Sequence, residues 1–470
     1  RDLANKHANF YIMDATKLAR DLGLGNRINT ILQAAFFQLT KVIPIDLAVE
    51  EMKQGNYNSY FKKGGQEIVD LNNRAVDVGL TGMTKVEVPA AWADAKDGAP
   101  EELKGTDFVK EIVVPMDRQH GDKLPVSLFK RHNCLDGTWE NGTTAYSKRG
   151  VAVTVPQWNP DVCIQCNRCA MACPHAAIRP VLLTEEEKAG APESFVTVPA
   201  KGLGKDAPSY FFRMQVSPYD CLGCGVCLTA CPAKDALTWA PFEEMKSEQP
   251  LFDDVAMNET YLKKDVINDK SVKNVQFAKP YFQFSAACAG CAETTYIKLL
   301  SQLFGDRMYV GNAAGCSSAI SGGAPILPYC RDCKGHGPAW EHSLFEDNAE
   351  HGLGLELGYK AVQGKLVAQT EELMASDCAT DELKAAAQAW IDSRDDAEAS
   401  KTAAAAYIEQ LEACGCDKAK AILADKAYLT KKSFWIFGGD GWAYDIGFGG
   451  LDHVLASGNN VNVFVFDTEV

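Results

Sequence analysis

The sequence predicts a multidomain protein of the α/β class, and three observations support that prediction. The chain has 470 residues, too many for one ordinary hydrophobic core, so about three domains are expected. Two runs of closely spaced cysteines form an internal repeat in the middle of the chain. Near the end, two buried-strand patterns each run into glycine or polar residues, as in an open parallel sheet with helices on both faces.

Composition and charge narrow the class of protein. Hydrophobic residues make up 46% and charged residues 23%, which is typical of globular proteins, and no apolar run approaches the roughly 20 residues of a membrane span. The net charge of -15 argues against a nucleic-acid partner. The 17 cysteines, an odd number with C-x-x-C spacings, favour metal ligation over disulfides. We therefore expect a reducing compartment, the cytoplasm or an anaerobic organelle, and an internal start at Arg1.

Residues 1–103 are predicted to be mainly helical. Apolar residues recur at helical spacing from Ile28 to Leu39 and predict one buried face. That face comprises Ile28, Ile31, Leu32, Ala35, Phe36 and Leu39. Two further helices are predicted over Ile45–Gln54 and Gln66–Val78.

Two other segments lack a strong pattern. Residues 104–155, punctuated by glycine and proline, predict a connecting arm that wraps rather than packs. Residues 365–430 are rich in Ala, Glu, Asp and Lys, which predicts exposed helices inserted into the last domain. Cys378, Cys414 and Cys416 of this insert could bind a metal, but such thiols are more often bystanders, so we assign the insert no chemistry.

The cysteine repeat is the most specific signal. Both runs read C-x-x-C-x-x-C-x-x-x-C-P, which is the run of bacterial two-cluster ferredoxins, whose fourth cysteine ligates the other cluster. We therefore expect two 4Fe-4S clusters and an α+β ferredoxin-like domain over residues 156–260. One cluster is assigned to Cys163, Cys166, Cys169 and Cys231, and the other to Cys221, Cys224, Cys227 and Cys173. Two zinc sites are the disfavoured alternative.

The segment between the runs, Pro174 to Asp220, is longer than a minimal ferredoxin needs. We expect an inserted surface excursion that shields a cluster from water or packs on a neighbouring domain.

A third cysteine group is incomplete. Cys288, Cys291 and Cys316 supply three thiols, where a 4Fe-4S cluster normally takes four. Cys330 and Cys333 are candidates for the fourth ligand, and spacing alone does not choose between them and an unrelated role.

The two C-terminal strand patterns predict a metal site. Phe434–Phe437 runs into glycines and Asp440, and Val461–Phe466 is followed by Thr468. Because ligands bind outside the carboxyl ends of parallel strands, Asp440 and Thr468 are expected to meet there and offer oxygen ligands to Mg²⁺. Gly439 and Gly441 would let the backbone approach a diphosphate.

The chain resembles the pyruvate:ferredoxin oxidoreductase family along almost its whole length, in the blocks Asn26–Thr30, Leu344–Glu350 and Gly439–Asp445. The resemblance implies that the chain is the C-terminal half of such an enzyme. Residues 1–103 would end the coenzyme A-associated domain, 104–155 would be the arm, and 156–260 the two-cluster domain. Residues 261–470 would be a thiamine diphosphate domain that is incomplete at its C-terminus.

The resemblance also implies a set of site residues. Cys288, Cys291 and Cys316 would hold a third 4Fe-4S cluster whose fourth ligand lies beyond Val470, so Cys330 and Cys333 are not needed. The thiamine would be approached by Glu293 and Cys316, and the cofactor bound by Gly439, Gly441 and Trp442. The expected Mg²⁺ ligands are Asp440, Thr468 and the Val470 carbonyl. Asn29 and Asn72 match positions linked to coenzyme A, with helix capping as the plain alternative.

The implied activity is oxidative decarboxylation of pyruvate with coenzyme A to acetyl-CoA and CO2. Electrons would pass one at a time through the clusters to ferredoxin or flavodoxin, and a homodimer is expected. The family's N-terminal domains are not among these residues, so this chain by itself is expected to be an incomplete enzyme. The alternatives are a non-catalytic iron-sulfur subunit and a relative that uses another 2-oxo acid or NADP.

Overall fold

The computed structural model describes residues 1–96, 98, 103–203, 208–264 and 271–469. Val470, an expected Mg²⁺ ligand, lies outside the described residues. Contacts between residues divide the chain into two units, Arg1–Glu102 and Leu103–Val470. None of the helices in the described ranges has both the length and the apolar character needed to cross a membrane.

The first unit is mainly helical, as predicted. A short antiparallel strand pair joins Phe10–Ile12 to Thr84–Val86. Its elements in chain order are α1 (Asp2–Asn5), β1 (Phe10–Ile12), α2 (Ala15–Asp21), α3 (Asn29–Thr40), α4 (Ile45–Thr81), β2 (Thr84–Val86) and a 3-10 turn (Ala90–Asp94). The predicted helices Ile45–Gln54 and Gln66–Val78 lie on either side of a kink in α4 at Gly65, whose φ is 68°.

The buried face of α3 differs from the prediction. Leu32, Phe36 and Leu39 are 45%, 51% and 43% exposed, so half of the predicted stripe is not buried. The face that is buried is made of smaller side chains, Thr30, Ile31, Ala34 and Ala35. They admit close packing of α4, because a Cβ at Gly79 would lie 2.4 Å from the Ile31 carbonyl oxygen.

The second unit begins with the predicted arm, which packs as well as connects. Its helical turns are Val109–Val113, α5 (Val114–Asp117), Gly121–Lys123, α6 (Val126–Arg131) and Thr143–Tyr146. Phe108, Ile112 and Val113 form a buried cluster with Ile326, and the Trp139 indole N–H donates to the Pro325 carbonyl at 3.0 Å. The expectation that this segment only wraps is therefore wrong. Its apolar residues are spread over several short helical turns, each too short to show periodicity.

The cysteine repeat lies in an α+β region. An antiparallel ribbon pairs β3 with β7, and an antiparallel sheet has the order β4-β6-β5. The elements are β3 (Thr154–Trp158), α7 (Arg168–Ala172), β4 (Ile178–Leu183), α8 (Glu185–Gly190), β5 (Val198–Pro199), β6 (Phe211–Val216), α9 (Val226–Thr229), β7 (Leu237–Pro241), α10 (Phe242–Met245) and α11 (Glu248–Leu251). Short turns follow at Phe252–Ala256 and Glu259–Tyr261.

The segment between the two cysteine runs is not a surface excursion. Its strands β4 and β6 are almost wholly buried, and Leu182, Phe212 and Met214 share one core with Cys169 and Cys227. The alternating pattern expected of a half-exposed strand is absent because both faces of these strands are covered. The segment thus supplies the apolar wall behind the cysteines.

The last region contains a four-stranded parallel sheet in the order β11-β10-β8-β9. Its elements are α12 (Val272–Val275), α13 (Glu293–Phe304), β8 (Met308–Asn312), α14 (Cys316–Gly322), β9 (Ala339–His342), α15 (Asn348–Met374), α16 (Asp381–Ser393), α17 (Ala397–Cys414), α18 (Asp417–Ala424), β10 (Ser433–Gly439), α19 (Phe448–Ala456) and β11 (Val461–Phe466). Both faces of the sheet are covered: Phe437 packs with Ile297 of α13, and its neighbour Ile436 packs with Leu353 of α15. The parallel sheet predicted from the two strand patterns is confirmed.

The helical insert has a core of its own. Trp390 and Tyr407 are fully buried and stack with ring centroids 5.6 Å apart. The Trp390 indole N–H donates to the Leu429 carbonyl at 2.8 Å, and the Tyr407 hydroxyl bonds to Thr370 at 2.9 Å. The expectation of exposed helices with modest apolar content is therefore wrong, since leucines, alanines and two large aromatic residues from separate helices share one buried core.

Candidate iron-sulfur and cofactor sites

Each expected cysteine quartet surrounds a cavity. Cys163, Cys166, Cys169 and Cys231 line one cavity. Cys173, Cys221, Cys224 and Cys227 line another. The fourth cysteine of each run therefore faces the cavity of the other run, which is the crossed arrangement that the spacing predicts.

The electrostatics of the thiols support the same grouping. Burial raises the pKa of Cys169, and the charges of Cys163, Cys166 and Cys231 raise it further. Burial raises the pKa of Cys221 to about 12, with Cys173 and Cys224 adding to the shift. Four thiolates held this close in a buried site need a cationic partner, and the iron of a cluster supplies that charge.

The two loops reach the same backbone shape with different residues. In the second loop Gly223 and Gly225 have positive φ, and in the first loop the matching residues Gln165 and Asn167 also have positive φ, 57° and 60°. In both loops the N–H of the first of these residues points at the first cysteine sulfur, at 3.4 Å. A left-handed conformation costs a non-glycine residue free energy, so the first loop requires compensation.

That compensation comes from buried side-chain hydrogen bonds. The Gln165 amide donates to the Pro199 carbonyl at 3.0 Å and accepts from the Lys201 N–H at 2.7 Å. The Asn167 amide donates to the Lys273 carbonyl at 2.9 Å. The first loop is therefore held in its cluster-binding shape by residues distant in sequence.

The third cysteine group lies against the second quartet. Cys288 and Cys291 occupy the turn before α13, and a Cβ at Gly290 between them would lie 3.8 Å from the Cys224 Cβ. The Gly290 N–H also bonds to the Cys224 thiol, partly offsetting the rise in its pKa that burial causes. The structure thus brings the Cys288–Cys291 turn into contact with the loop of the second quartet.

Cys316 joins this group at the start of α14. Its pKa is raised first by the charge of Glu293, then by burial, and then by the charges of Cys291 and Cys288. Cys330 and Cys333 do not act on it. Cys330 is buried with its thiol directed at the Pro280 carbonyl, 3.6 Å away, and the Cys333 N–H is bonded to Glu259.

Asp440 and Thr468 meet at the carboxyl edge of the sheet. Asp440 follows β10 and Thr468 follows β11, and the Thr468 N–H donates to Asp440 Oδ1 at 3.1 Å. The Thr468 hydroxyl is 3.4 Å from the same oxygen. The backbone N–H of Thr468 holds the pKa of Asp440 below its usual range, so the carboxylate stays charged and suited to Mg²⁺.

Glu293 connects this edge to the third cysteine group. It begins α13, and one of its carboxylate oxygens is buried with no hydrogen-bond partner among the described residues. Burial raises its pKa, and the charge of Asp440 raises it further. A buried acceptor with no partner carries a large free-energy cost unless a ligand supplies a donor, so the site fits an N–H-bearing cofactor.

The glycines at the end of β10 and just after it divide into two kinds. Among the described residues, a Cβ at Gly439 would approach only the Phe466 carbonyl oxygen, at 3.8 Å, and one at Gly441 only Phe345, at 3.6 Å, so both border open space. A Cβ at Gly438 would instead clash with the Trp442 ring at 2.3 Å. Trp442 is fully buried in the core between β10 and α19, whereas the two open glycines are placed as a diphosphate cradle requires.

Comparison with known proteins gives three matching family models and several alignments that cover the whole of this chain. Residues 2–82 match a model described as pyruvate ferredoxin/flavodoxin oxidoreductase, 95–152 one described as a domain of unknown function, and 162–235 a 4Fe-4S dicluster domain. The chain is 47% identical to the pyruvate:ferredoxin oxidoreductase of Moorella thermoacetica. It is 47% and 44% identical to the pyruvate-flavodoxin oxidoreductases of Enterobacter agglomerans and Klebsiella pneumoniae. Each alignment covers 100% of this chain and 40% of the relative.

The chain is a homologue of these oxidoreductases. The 4Fe-4S dicluster match contains both cysteine runs, so the predicted two-cluster ferredoxin repeat is confirmed. The chain spans about 40% of the length of its relatives, and their activity is considered for it below.

Asn29 and Asn72 fall within the oxidoreductase match of the first unit. Asn29 is the first residue of α3, which Ile28 precedes as N-cap without a side-chain bond. Asn72 is buried inside α4, where its amide donates to the Ile68 carbonyl at 2.9 Å. Neither asparagine caps a helix, so the plain alternative does not account for them.

Sequence reasoning missed Lys298. This fully buried residue of α13 donates to three carbonyls at the end of α7, those of Ala170, Met171 and Cys173, the last two at 2.9 Å. Three acceptors match the three N–H bonds of an ammonium, although burial lowers the pKa of Lys298 to about 8. A single lysine in an amphipathic helix gives no signal of such a role.

Proposed function

We propose that the chain is the cluster-carrying part of an enzyme that oxidatively decarboxylates pyruvate with coenzyme A to acetyl-CoA and CO2. Ferredoxin or flavodoxin would accept the electrons, one at a time. The observation that carries the proposal is one continuous series of electrostatic interactions that ends in a hydrogen bond. The charge of Asp440 acts on Glu293, that of Glu293 on Cys316, and those of Cys288 and Cys291 also on Cys316. Gly290, between Cys288 and Cys291, then bonds through its N–H to Cys224 of the second quartet.

The series gives the carriers an order. A cluster on Cys288, Cys291 and Cys316 would lie nearest the sheet edge, the cluster of the second quartet next, and that of the first quartet last. Cys169 of the first quartet also acts electrostatically on Cys227 of the second, in keeping with neighbouring clusters. A scaffold without catalysis would need no such link between a sheet edge and a dicluster domain.

The cofactor proposed for the sheet edge is thiamine diphosphate with Mg²⁺. When bound, the thiamine supplies the electron sink for decarboxylation. Asp440 and Thr468, with the Val470 carbonyl as a further proposed ligand, would hold the metal, and Gly439 and Gly441 would border the diphosphate. Glu293 would accept a hydrogen bond with its unpaired oxygen. Cys316 would lie between the thiamine and the cluster that it would hold together with Cys288 and Cys291.

Asn29 and Asn72 are proposed to contact coenzyme A, and the enzyme is proposed to be a homodimer. The electron acceptor is proposed to dock beside the first quartet, where Val162 and Ile164 flank Cys163 and are 43% and 56% exposed. Lys273, whose positive charge acts on Cys163 and Cys166, would oppose the repulsion between an acidic carrier and this acidic chain.

The test is pyruvate-dependent reduction of ferredoxin by the anaerobically purified full-length enzyme that contains this chain, with and without coenzyme A. In Cys166→Ala, bound thiamine diphosphate should be retained while ferredoxin reduction falls at least tenfold. The reason is that the cluster of the first quartet, from which electrons would leave, loses a ligand. Cys134→Ala is the matched control, since Cys134 is a half-buried thiol in the arm. Ferredoxin reduction at the unaltered rate in Cys166→Ala, or none with pyruvate in the parent protein, would refute the proposal.

A further inference from the structure

Three cysteines of the helical insert converge on one point. The sulfur atoms of Cys378, Cys414 and Cys416 all lie within 4.8 Å of one another. Cys378 and Cys416 are closest, with their sulfurs 3.1 Å apart. Cys378 is exposed and the other two are half-buried, so a solvated ion can reach the group.

Four helices bring these thiols together. Cys378 lies in the connection from α15 to α16, Cys414 is the last residue of α17, and Cys416 is the N-cap of α18. Gly415 between them has φ 62° and reverses the chain at the end of α17, a conformation that favours glycine. Cys414 and Cys416 also pack against the core of the insert, so the group is fixed by tertiary packing.

The geometry of the three thiols favours a zinc site over a disulfide or an iron-sulfur cluster. Zinc–sulfur bonds of about 2.3 Å at tetrahedral angles place ligand sulfurs about 3.8 Å apart, which these side chains reach with small rotations. A disulfide between Cys378 and Cys416 would leave the third converging thiol without a role. A cubane cluster would need its ligands spread around a cavity like those of the two quartets.

We propose that Cys378, Cys414 and Cys416 bind a zinc ion. Binding forms three Zn–S bonds, and the three thiols release three protons to solvent. In the described part of the chain no other Cys, His, Asp or Glu ligand atom falls within the group, so water takes the fourth position. The three thiolates leave a net charge of -1 on the site, which the N-terminal end of α18 offsets.

The role of the ion is to tie helix ends together. The α15–α16 connection and the α17–α18 turn are otherwise linked at this point by weak contacts, such as the Cys414 thiol to the Cys378 carbonyl at 3.5 Å. Zinc would hold both connections closed at one end of the insert core. The site shares no residue with the proposed pyruvate chemistry, and its test is independent of that function.

The first experiment measures metals in the full chain. Clusters are reconstituted with iron and sulfide under anaerobic conditions, so that the quartets are filled, and zinc is then added and the excess removed. The parent chain should retain about one more zinc per chain than Cys416→Ser or Cys378→Ser, at equal iron content. Cys134→Ser is the matched control and should retain the zinc. Co²⁺ in place of zinc should give thiolate-to-cobalt absorption that disappears in Cys416→Ser and Cys378→Ser but not in Cys134→Ser.

A second measurement does not depend on how the variants fold. In the parent chain, proteolysis of the connection that contains Cys378 should slow on the order of 100-fold when free zinc is held near 100 times its dissociation constant. Equal zinc in the parent and both serine variants would overturn the proposal. So would a Cys378–Cys416 disulfide in anaerobically purified chain, or cleavage that zinc does not slow.

Discussion

The dicluster region and the helical insert both bring cysteines together, but by different means. In the dicluster region each run places three thiols around its own cavity through local spacing, and one thiol crosses to the other cavity. In the insert the three thiols come from two connections that meet only when the helices pack. Local geometry leaves a pattern in the sequence, whereas convergence through packing leaves none.

The largest effect should come from a crossed ligand. Cys173→Ala removes the thiol that the first run contributes to the second quartet, so at least one cluster, about four iron atoms per chain, should be lost. Zinc in the insert should not change. Anaerobic iron, sulfide and zinc analysis measures both, with Cys134→Ala as control. Full iron content in Cys173→Ala would mean that Cys173 is not a cluster ligand.

The next effect concerns a site built from oxygen ligands rather than thiols. Asp440→Ala removes a charged Mg²⁺ ligand at the sheet edge, so retention of thiamine diphosphate should fall at least tenfold. Iron and zinc contents should both stay at the parental level. Equilibrium dialysis gives the cofactor affinity, and the exposed Asp452→Ala on α19 is the matched control. An unaltered affinity in Asp440→Ala would remove this carboxylate from the cofactor site.

A smaller effect is expected where α13 supports the dicluster region. Lys298→Met leaves the carbonyls at the end of α7 without their donor and removes a positive charge beside Cys173 and Cys169. Loss of a nearby positive charge disfavours the reduced cluster, so its potential should fall by about 60 mV, a tenfold change for one electron. Redox titration followed by electron paramagnetic resonance measures the shift.

The control for this change is Lys62→Met, in which an exposed lysine of the first unit is replaced. It should leave the potentials within error of the parent. A Lys298→Met protein with the parental potential and a full complement of iron would limit this lysine to packing.

The smallest effect is expected at Cys333, in the C-x-x-C pair that it forms with Cys330. Cys333→Ser alters an exposed thiol that belongs neither to a quartet nor to the insert group, so iron, zinc and ferredoxin reduction should all stay at the parental values. Metal analysis and activity of this variant give the baseline against which Cys173→Ala, Asp440→Ala and Lys298→Met are compared. Loss of iron here would return Cys333 to the ligands of the third cluster.

Much of the site was predictable because its residues are local in sequence. The crossed quartets follow from the repeated spacing, and the meeting of Asp440 with Thr468 follows from two strand ends. The prediction for the buried face of α3 was half wrong, since small residues around Ile31 let α4 approach more closely than Leu32 or Phe36 would allow. The packing of the arm was not predicted, because each of its helical turns is too short to show an apolar period. Ile326, which packs with its buried residues, is also distant in the chain.

The amino-acid pattern was enough to predict the two cysteine quartets, a parallel sheet whose strands are followed by Asp440 and Thr468, and the family to which the chain is homologous. These features depend on short spacings that fix backbone geometry. The contact of Gly290 with Cys224, the link of α13 to α7 through Lys298, and the approach of Cys378 to Cys416 became visible in the folded chain alone. Such contacts depend on how whole elements pack, and packing is the sum of many small contributions that no single motif records.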